Sequence, residues 1–483
     1  MSTAATPPER GTAIVLAAGA GTRMKSKLSK VLQPLLGQPM AAFPVGSAQA
    51  AGLDVLVVVN HQEDQVRAGL AGDGVRFVRQ EALNGTGGAV IDALAGLPAT
   101  GVAVVLYGDC PLIRAETLTR LLDAHAAGPL ATVVTAHAPD PAGYGRLVRD
   151  AAGRPQAVVE HKECTPAQLA ITEVNVGLYA FDIEWMRETL PTLEPHSHKN
   201  EVYLTDLVAA AAQAEALEVV VHDDIDEMMG VNDKWSLCEA RRLLQDRVME
   251  AHARAGVTFE SPTSTVVEFG VQIGADARVE AGAVLRGRTR VGEGATIGAH
   301  SVLIDAEVAR DVHIREHSLL EHARVAEGCV VGPYARLRPG ADVQRGARVG
   351  NFVEIKKSVV EPGAKVNHLS YIGDARVGAG ANVGAGTITC NYDGFFKRHT
   401  DIGAGAFIGS NSALVAPVSI GDGAMVAAGS TITGDVPADA LALARGRQAN
   451  KAGRSAEFRA RRAAEKAEKA EAAKVPPKTE GGA

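Results

Sequence analysis

Residues 271–304 read VQIGADARVEAGAVLRGRTRVGEGATIGAHSVLI. An aliphatic residue returns at every sixth position: Ile273, Val279, Leu285, Val291, Ile297 and Leu303. A helix repeats near 3.6 residues and a strand at two, so neither produces this spacing. A coil of short flat faces does, because each hexad supplies one face and sends one aliphatic side chain inward. The Gly, Ala, Asp and Asn between them suit tight corners. The register slips by one residue and resumes at Val308, Ile314 and Leu320, then at Val325, Val331, Leu337, Val343, Val349 and Ile355. It continues as Val360, Val366 and Ile372, as Val377 and Val383, and after a gap as Ile402, Ile408, Leu414, Ile420, Val426 and Ile432. Each slip shortens one hexad, which a corner absorbs. Residues 257–447 are therefore expected to form a solenoid. The gap at 390–401, CNYDGFFKRHTD, has no hexad aliphatic and reads as a loop ejected from the coil, where function tends to sit.

Upstream, residues 11–232 have a different texture. Short β-branched runs at 54–59 (DVLVVV), 102–109 (VAVVLYGD) and 131–137 (ATVVTAH) alternate with amphipathic stretches such as AETLTRLLDAHAAG at 115–128. Such alternation predicts an α/β unit with a mostly parallel sheet covered on both faces. Ligands in such sheets lie outside the carboxyl ends of the strands. Residues 233–256 form one helical pattern, a linker helix. Residues 448–483 are Ala/Lys/Glu-rich without an apolar stripe and read as a solvated helix or a flexible charged tail, and residues 1–10 as a flexible N-terminus.

Composition narrows the function. Acidic residues outnumber basic ones by 56 to 49, which gives no general basic field for nucleic acid or membrane. An anionic substrate must then be held by local cations. The opening MSTAATPPER has no apolar h-region, no apolar run reaches spanning length, and the five cysteines form no CxxC pair. A cytoplasmic protein in a reducing compartment is expected.

The stretch Leu16-Ala17-Ala18-Gly19-Ala20-Gly21-Thr22-Arg23-Met24 follows a strand. Glycines there let the backbone close on phosphate oxygens. Met24 stands where a dinucleotide fingerprint needs Gly, and no P-loop Gly-Lys-Ser/Thr is present, so a plain tight turn is the alternative. Arg23 and Lys30 add two cations within reach of a triphosphate. Asp109 lies just past an apolar strand, where a simple strand-end turn residue would also stand. In the coil, Arg338, Lys356, His368, Tyr371, Asn382 and Lys397 interrupt a scaffold that needs none of them. Their cations suit a sugar phosphate, and His368 suits a general base, although a lone histidine at a corner is also an ordinary surface residue. The run His222-Asp223-Asp224-Ile225-Asp226-Glu227 has the look of a metal cluster but reads as a solvated loop, and His196 and His198 as a polar loop.

These motifs together carry a resemblance. LAAGAGTRM with Lys30, Gln80 with Gly85-Thr86, Tyr107-Gly108-Asp109, Tyr144-Gly145-Arg146, Glu160 in VVEHKE, Asn175 in EVNVGLY and Asn232 in GVNDK resemble the sugar-1-phosphate nucleotidyltransferases. With RLRPGA, NFVEIKK, NHLSYIGD and GAGTITCNYDG behind them, residues 11–447 resemble the bacterial bifunctional N-acetylglucosamine-1-phosphate uridyltransferases/glucosamine-1-phosphate acetyltransferases. The resemblance implies a Rossmann-like α/β nucleotidyltransferase domain followed by a left-handed parallel β-helix. It implies acetyl transfer from acetyl-CoA to glucosamine-1-phosphate, then uridylyl transfer from UTP to N-acetylglucosamine-1-phosphate. It places UTP on Leu16, Ala17, Ala18 and Gly19, with Arg23 and Lys30 as catalytic cations. Gln80, Gly85 and Thr86 would meet uracil or ribose, and Tyr107 and Gly108 would line the same site. Gly145, Glu160 and Asn175 would hold the sugar, and Asp109 with Asn232 would hold Mg2+. In the coil it makes His368 the base. Arg338, Lys356, Tyr371, Asn382, Asn391, Tyr392 and Lys397 would hold the sugar phosphate, and Ala385, Ser410, Ala428 and Arg445 acetyl-CoA. It also implies a homotrimer with acetyltransferase sites between subunits. Ser29 departs from the family's usual Pro, and Gly88 from its frequent His.

Overall fold

A computed structural model describes residues 11–196 and 201–472. The segment 1–10, His198 and the end of the tail at 473–483 lie outside the described residues. The chain divides into two units, Met1–Gly346 and Ala347–Ala483.

The first unit opens with nine strands in one sheet: β1 (Thr12–Leu16), β2 (Asp54–Val59), β3 (Val75–Arg79), β4 (Val102–Tyr107), β5 (Ala131–His137), β6 (Gly145–Arg149), β7 (Pro155–Val159), β8 (Glu173–Asp182) and β9 (Leu217–His222). Their order is β9-β5-β8-β4-β1-β2-β3, with β6 pairing β8 and β7. Successive strand residues point to opposite faces. Ala13, Val15, Val55 and Val57 belong to one core, and Ile14, Leu56 and Val58 to the other. Helices cover both, which is why the strands are apolar without alternation. These include α1 (Ala42–Ala50), α2 (Glu63–Leu70), α3 (Gly85–Ala93), α4 (Ala115–His125) and α5 (Thr205–Gln213). The pairs β1–β2, β2–β3, β1–β4 and β5–β9 are parallel. Strand β8 differs: it lies between β4 and β5, antiparallel to both. The chain reaches it through the β6–β7 hairpin, not through a helical crossover, and that reverses its direction.

The linker pattern folds as α6 (Lys234–Arg254), started by a capping box between Asp233 and Ser236. Its Leu237, Ala240 and Leu244 pack with Met24, Leu35, Phe43, Leu112 and Val231.

The hexads then form coils of strands two to four residues long, and every one of the hexad aliphatics named above is at most 9% exposed. In the first unit Gln272 pairs in parallel with Arg290, three hexads on. Across a slip, Val302 pairs with Leu319, one residue short of that. The second unit repeats the pattern, with Arg348 beside Lys365 and Lys365 beside Asn382. The loop at 390–401 leaves the coil after Cys390 and returns at Thr400, with Phe395 and Phe396 88% and 63% exposed at its tip. The tail carries a helix, α7 (Arg454–Ala472).

Candidate active sites

In the first unit a cavity of about 1060 Å3 opens beyond the carboxyl ends of β1 and β4. Leu16, Ala17, Ala18, Gly19, Lys30, Gln80, Gly85, Thr86, Tyr107, Asp109 and Glu160 all line it. Gly21 has φ 58°, and a Cβ there would fall 2.5 Å from Lys30 Cβ. The loop can therefore bring Lys30 in only with glycine at that position. A Cβ on Gly19 would meet nothing within 4 Å, leaving open room for a phosphate to approach the backbone.

Lys30 Nζ is ion-paired with Asp109 Oδ2 and lies 3.4 Å from Asn232 Oδ1, which also accepts from Arg23 at 2.8 Å. Residues from three stretches far apart in sequence thus meet at the cavity. Val231 N–H donates to the Asp109 carbonyl at 2.8 Å and brings the Asn232 loop there. Deeper in, Gln80 Nε2 donates to the Gly85 carbonyl at 3.3 Å. Burial, with Glu163 and Asp206 nearby, pushes the Glu160 carboxyl above its usual range. Gly108, Gly145 and Asn175 are not among the residues lining the cavity. Gly108 N–H donates to Leu16, Gly145 pairs with Asn175, and Asn175 Nδ2 donates to Tyr179 Oη at 2.7 Å.

Both family departures have a local account. Ser29 holds φ −49° and ψ 144°, which proline also adopts. A Cβ on Gly88 would lie 1.8 Å from Asn84 Oδ1, so the Asn84 amide occupies the space a larger residue needs. The run at 222–227 is a correction. Asp223 and Asp226 are exposed as a solvated loop requires, but its two ends are not: His222 and Glu227 are 7% and 1% exposed, and their side chains pair with each other at 3.2 Å.

In the second unit His368 ends the strand Lys365–His368. Its Nδ1 lies 2.9 Å from Asn351 Oδ1, one coil below. A file of corners then runs upward. Gly386 N–H donates to the His368 carbonyl, Asn411 N–H to Ala385, Gly429 N–H to Ser410, and the Arg445 guanidinium to Ala428 at 2.7 Å. The structure so sets Ala385, Ser410, Ala428 and Arg445 in one column above His368. A Cβ on Gly409 would lie 2.4 Å from Ala428 N, which keeps these turns in close register.

Lys356 and Lys397 approach within hydrogen-bond reach, and that contact, together with their mutual repulsion, lowers the Lys397 pKa. Two ammonium groups held close together make a place for an anion, with the Asp374 carboxylate offsetting part of their charge. Tyr371 pairs with Glu354 and Ile388, and Asn382 with Lys365 and Phe407. Asn391 Nδ2 donates to Asp374 at 2.6 Å, and Tyr392 bridges to Lys397 in the loop. Arg338 follows the strand Arg336–Leu337 in the first unit. Asn351 and Asp374 carry contacts that the motifs did not single out. The coil period was the signal for Asn351, since it puts residue 351 beneath 368.

A MobA-like NTP transferase domain family matches residues 13–179, and the bacterial transferase hexapeptide family matches residues 270–305 and 399–434. The Bifunctional protein GlmU of Trichlorobacter lovleyi is 47% identical over 91% of this chain and 97% of its own length. The Bifunctional protein GlmU of Sorangium cellulosum is 46% identical over 95% and 98%. The chain belongs to the bifunctional GlmU family. GlmU of Brevibacillus brevis, 46% identical over 91% of this chain, extends the same likeness to a further genus. Membership in the GlmU family bears out the resemblance read in the sequence, with an α/β nucleotidyltransferase domain followed by a left-handed hexapeptide β-helix. It bears out as well the reading of a transferase with two activities, uridyltransferase and glucosamine-1-phosphate acetyltransferase.

Proposed function

We propose that the cavity beside Gly19 is the uridyltransferase site and the column above His368 the acetyltransferase site. The observation that carries the first is the meeting of Arg23, Lys30, Asp109 and Asn232 at the mouth of a glycine-lined cavity. In uridylyl transfer a phosphate oxygen of N-acetylglucosamine-1-phosphate attacks the α-phosphorus of UTP, and pyrophosphate leaves. No covalent nucleophile is required; the protein aligns two anions and neutralises their charge. Arg23 and Lys30 hold phosphate oxygens, Gln80, Gly85 and Thr86 the nucleoside, and Gly145, Glu160 and Asn175 the sugar. Asp109 and Asn232 fit a magnesium ion, since both already turn a hard oxygen toward one cation, the Lys30 ammonium. Bound Mg2+ would neutralise phosphate charge.

In acetyl transfer, Lys356 and Lys397, with Tyr371, Asn382, Asn391 and Tyr392, hold glucosamine-1-phosphate. His368 Nε2 takes a proton from the C2 amino group as its nitrogen bonds to the thioester carbonyl carbon. The C–S bond breaks, and the CoA sulfur receives a proton. Ala385, Ser410 and Ala428 let the cofactor lie close, with Arg445 above them. The domains are assigned as 11–232, a linker helix at 233–256, the coil at 257–447 and the tail at 448–483. The assembly is a homotrimer, for which the exposed Phe395 and Phe396 offer contact surface. The setting is the cytoplasm; no helix among the described residues is long and apolar enough to cross a membrane.

Asp109→Asn tests the first site. UTP-dependent pyrophosphate release is expected to fall by about a hundredfold or more, with acetyl transfer unchanged. Full pyrophosphate release would overturn the assignment.

A further inference from the structure

Two loops carry the oxygens assigned to the metal. Residues 109–114 lead from β4 into α4, and residues 223–232 from β9 toward α6. They run antiparallel and are tied at both ends. At the site end, Val231 N–H donates to the Asp109 carbonyl at 2.8 Å. At the far end, Arg114 N–H donates to Glu227 Oε1 at 2.8 Å. The other carboxylate oxygen faces His222 Nε2 at 3.2 Å and Arg114 Nε at 3.6 Å. The Arg114 guanidinium also reaches Asp224 at 3.3 Å, and Arg247 of α6 approaches Asp224 at 3.8 Å. Arg247 in turn donates to the Leu112 carbonyl at 2.5 Å.

Glu227 is 1% exposed and is not among the residues lining the cavity. Burying a carboxylate is costly unless donors and cations meet it, and an apolar side chain of similar volume would fill the space without that cost. Its position suggests what the carboxylate does instead: it fastens one loop to the other.

We infer that Glu227 is a positioning residue for uridylyl transfer, fixing the Asp109 loop against the Asn232 loop and so setting the separation of the two metal-binding oxygens. The inference rests on the assignment of Asp109 and Asn232 made above. A shift of this pair by a fraction of an ångström is felt at the reacting phosphates, because alignment supplies much of the rate.

The test uses the full-length chain. Glu227→Met fills the buried volume and removes the acceptor, whereas Glu227→Gln keeps an oxygen for the Arg114 N–H. Both activities are measured, together with Mn2+ binding by electron paramagnetic resonance in the presence of UTP. Glu227→Met is expected to lower uridyltransferase kcat about tenfold or more and to weaken Mn2+ binding about fivefold, with acetyltransferase kcat within about twofold. Glu227→Gln is expected to recover uridyltransferase kcat to within about threefold of the parent. Parallel loss of both activities in Glu227→Met, or unchanged kcat and Mn2+ binding, overturns the proposal. Asp109→Asn runs alongside. If that variant keeps full uridyltransferase activity, the site assignment fails and the inference with it. If it is inactive while Glu227→Met is normal, the inference fails alone.

Discussion

Asn351 Oδ1 and His368 Nδ1 stand 2.9 Å apart on successive coils, in the register that pairs their strands. With the amide oxygen accepting, the imidazole proton is held on Nδ1, and Nε2 keeps the lone pair that the proposed base needs. Without that partner the ring divides between tautomers and orientations. Asn351→Ala is therefore expected to lower acetyltransferase kcat by about tenfold to a hundredfold, with little change in the KM for acetyl-CoA. Thiol release under saturating substrate measures this, and an unchanged kcat would contradict the orienting role.

Lys397 gives a pH signature. The neighbouring Lys356 lowers its pKa, with Asp374 and Tyr371 acting the other way. A lysine so placed loses its proton at lower pH than an ordinary one. The hold on the sugar phosphate proposed for Lys397 would thus be present below that lowered pKa and lost as pH rises through it. Lys356→Met removes the repulsion, so the alkaline fall in kcat/KM for glucosamine-1-phosphate should move to higher pH even as KM rises. A profile of the same midpoint in both proteins would show that Lys397 does not govern it.

The coil was legible in the sequence because its geometry gives each hexad one inward position, and Ile355, Ile372 and Leu414 fill it whatever surrounds them. The slips were legible for the same reason: Val302 meets Leu319 where the pattern loses a residue. The direction of β8 was not, since a buried strand looks alike in either orientation. Local motifs pointed to Lys30 and Asp109, both of which line the cavity. Glu227 escaped because its partner, Arg114, is far off in sequence, and acidic composition alone looks like a solvated loop. Its burial follows from the fold of both loops together.

Ser29 offers a stability test. Its φ of −49° and ψ of 144° are open to proline, and its buried hydroxyl has no hydrogen-bond partner. Ser29→Pro should stabilise the chain by about 0.4–1 kcal/mol, by restricting the unfolded state. It also removes an unsatisfied polar atom. A rise in Tm with uridyltransferase activity retained is the expected result; a fall in Tm would mean that the N–H or the hydroxyl matters to this turn.

The most direct measurement compares the parent with His368→Ala, first with glucosamine-1-phosphate and acetyl-CoA, then with N-acetylglucosamine-1-phosphate, UTP and Mg2+. Loss of thiol release by about a hundredfold or more, with pyrophosphate release intact, is the result that two separate sites require. Undiminished thiol release from His368→Ala would contradict the acetyltransferase assignment at its centre.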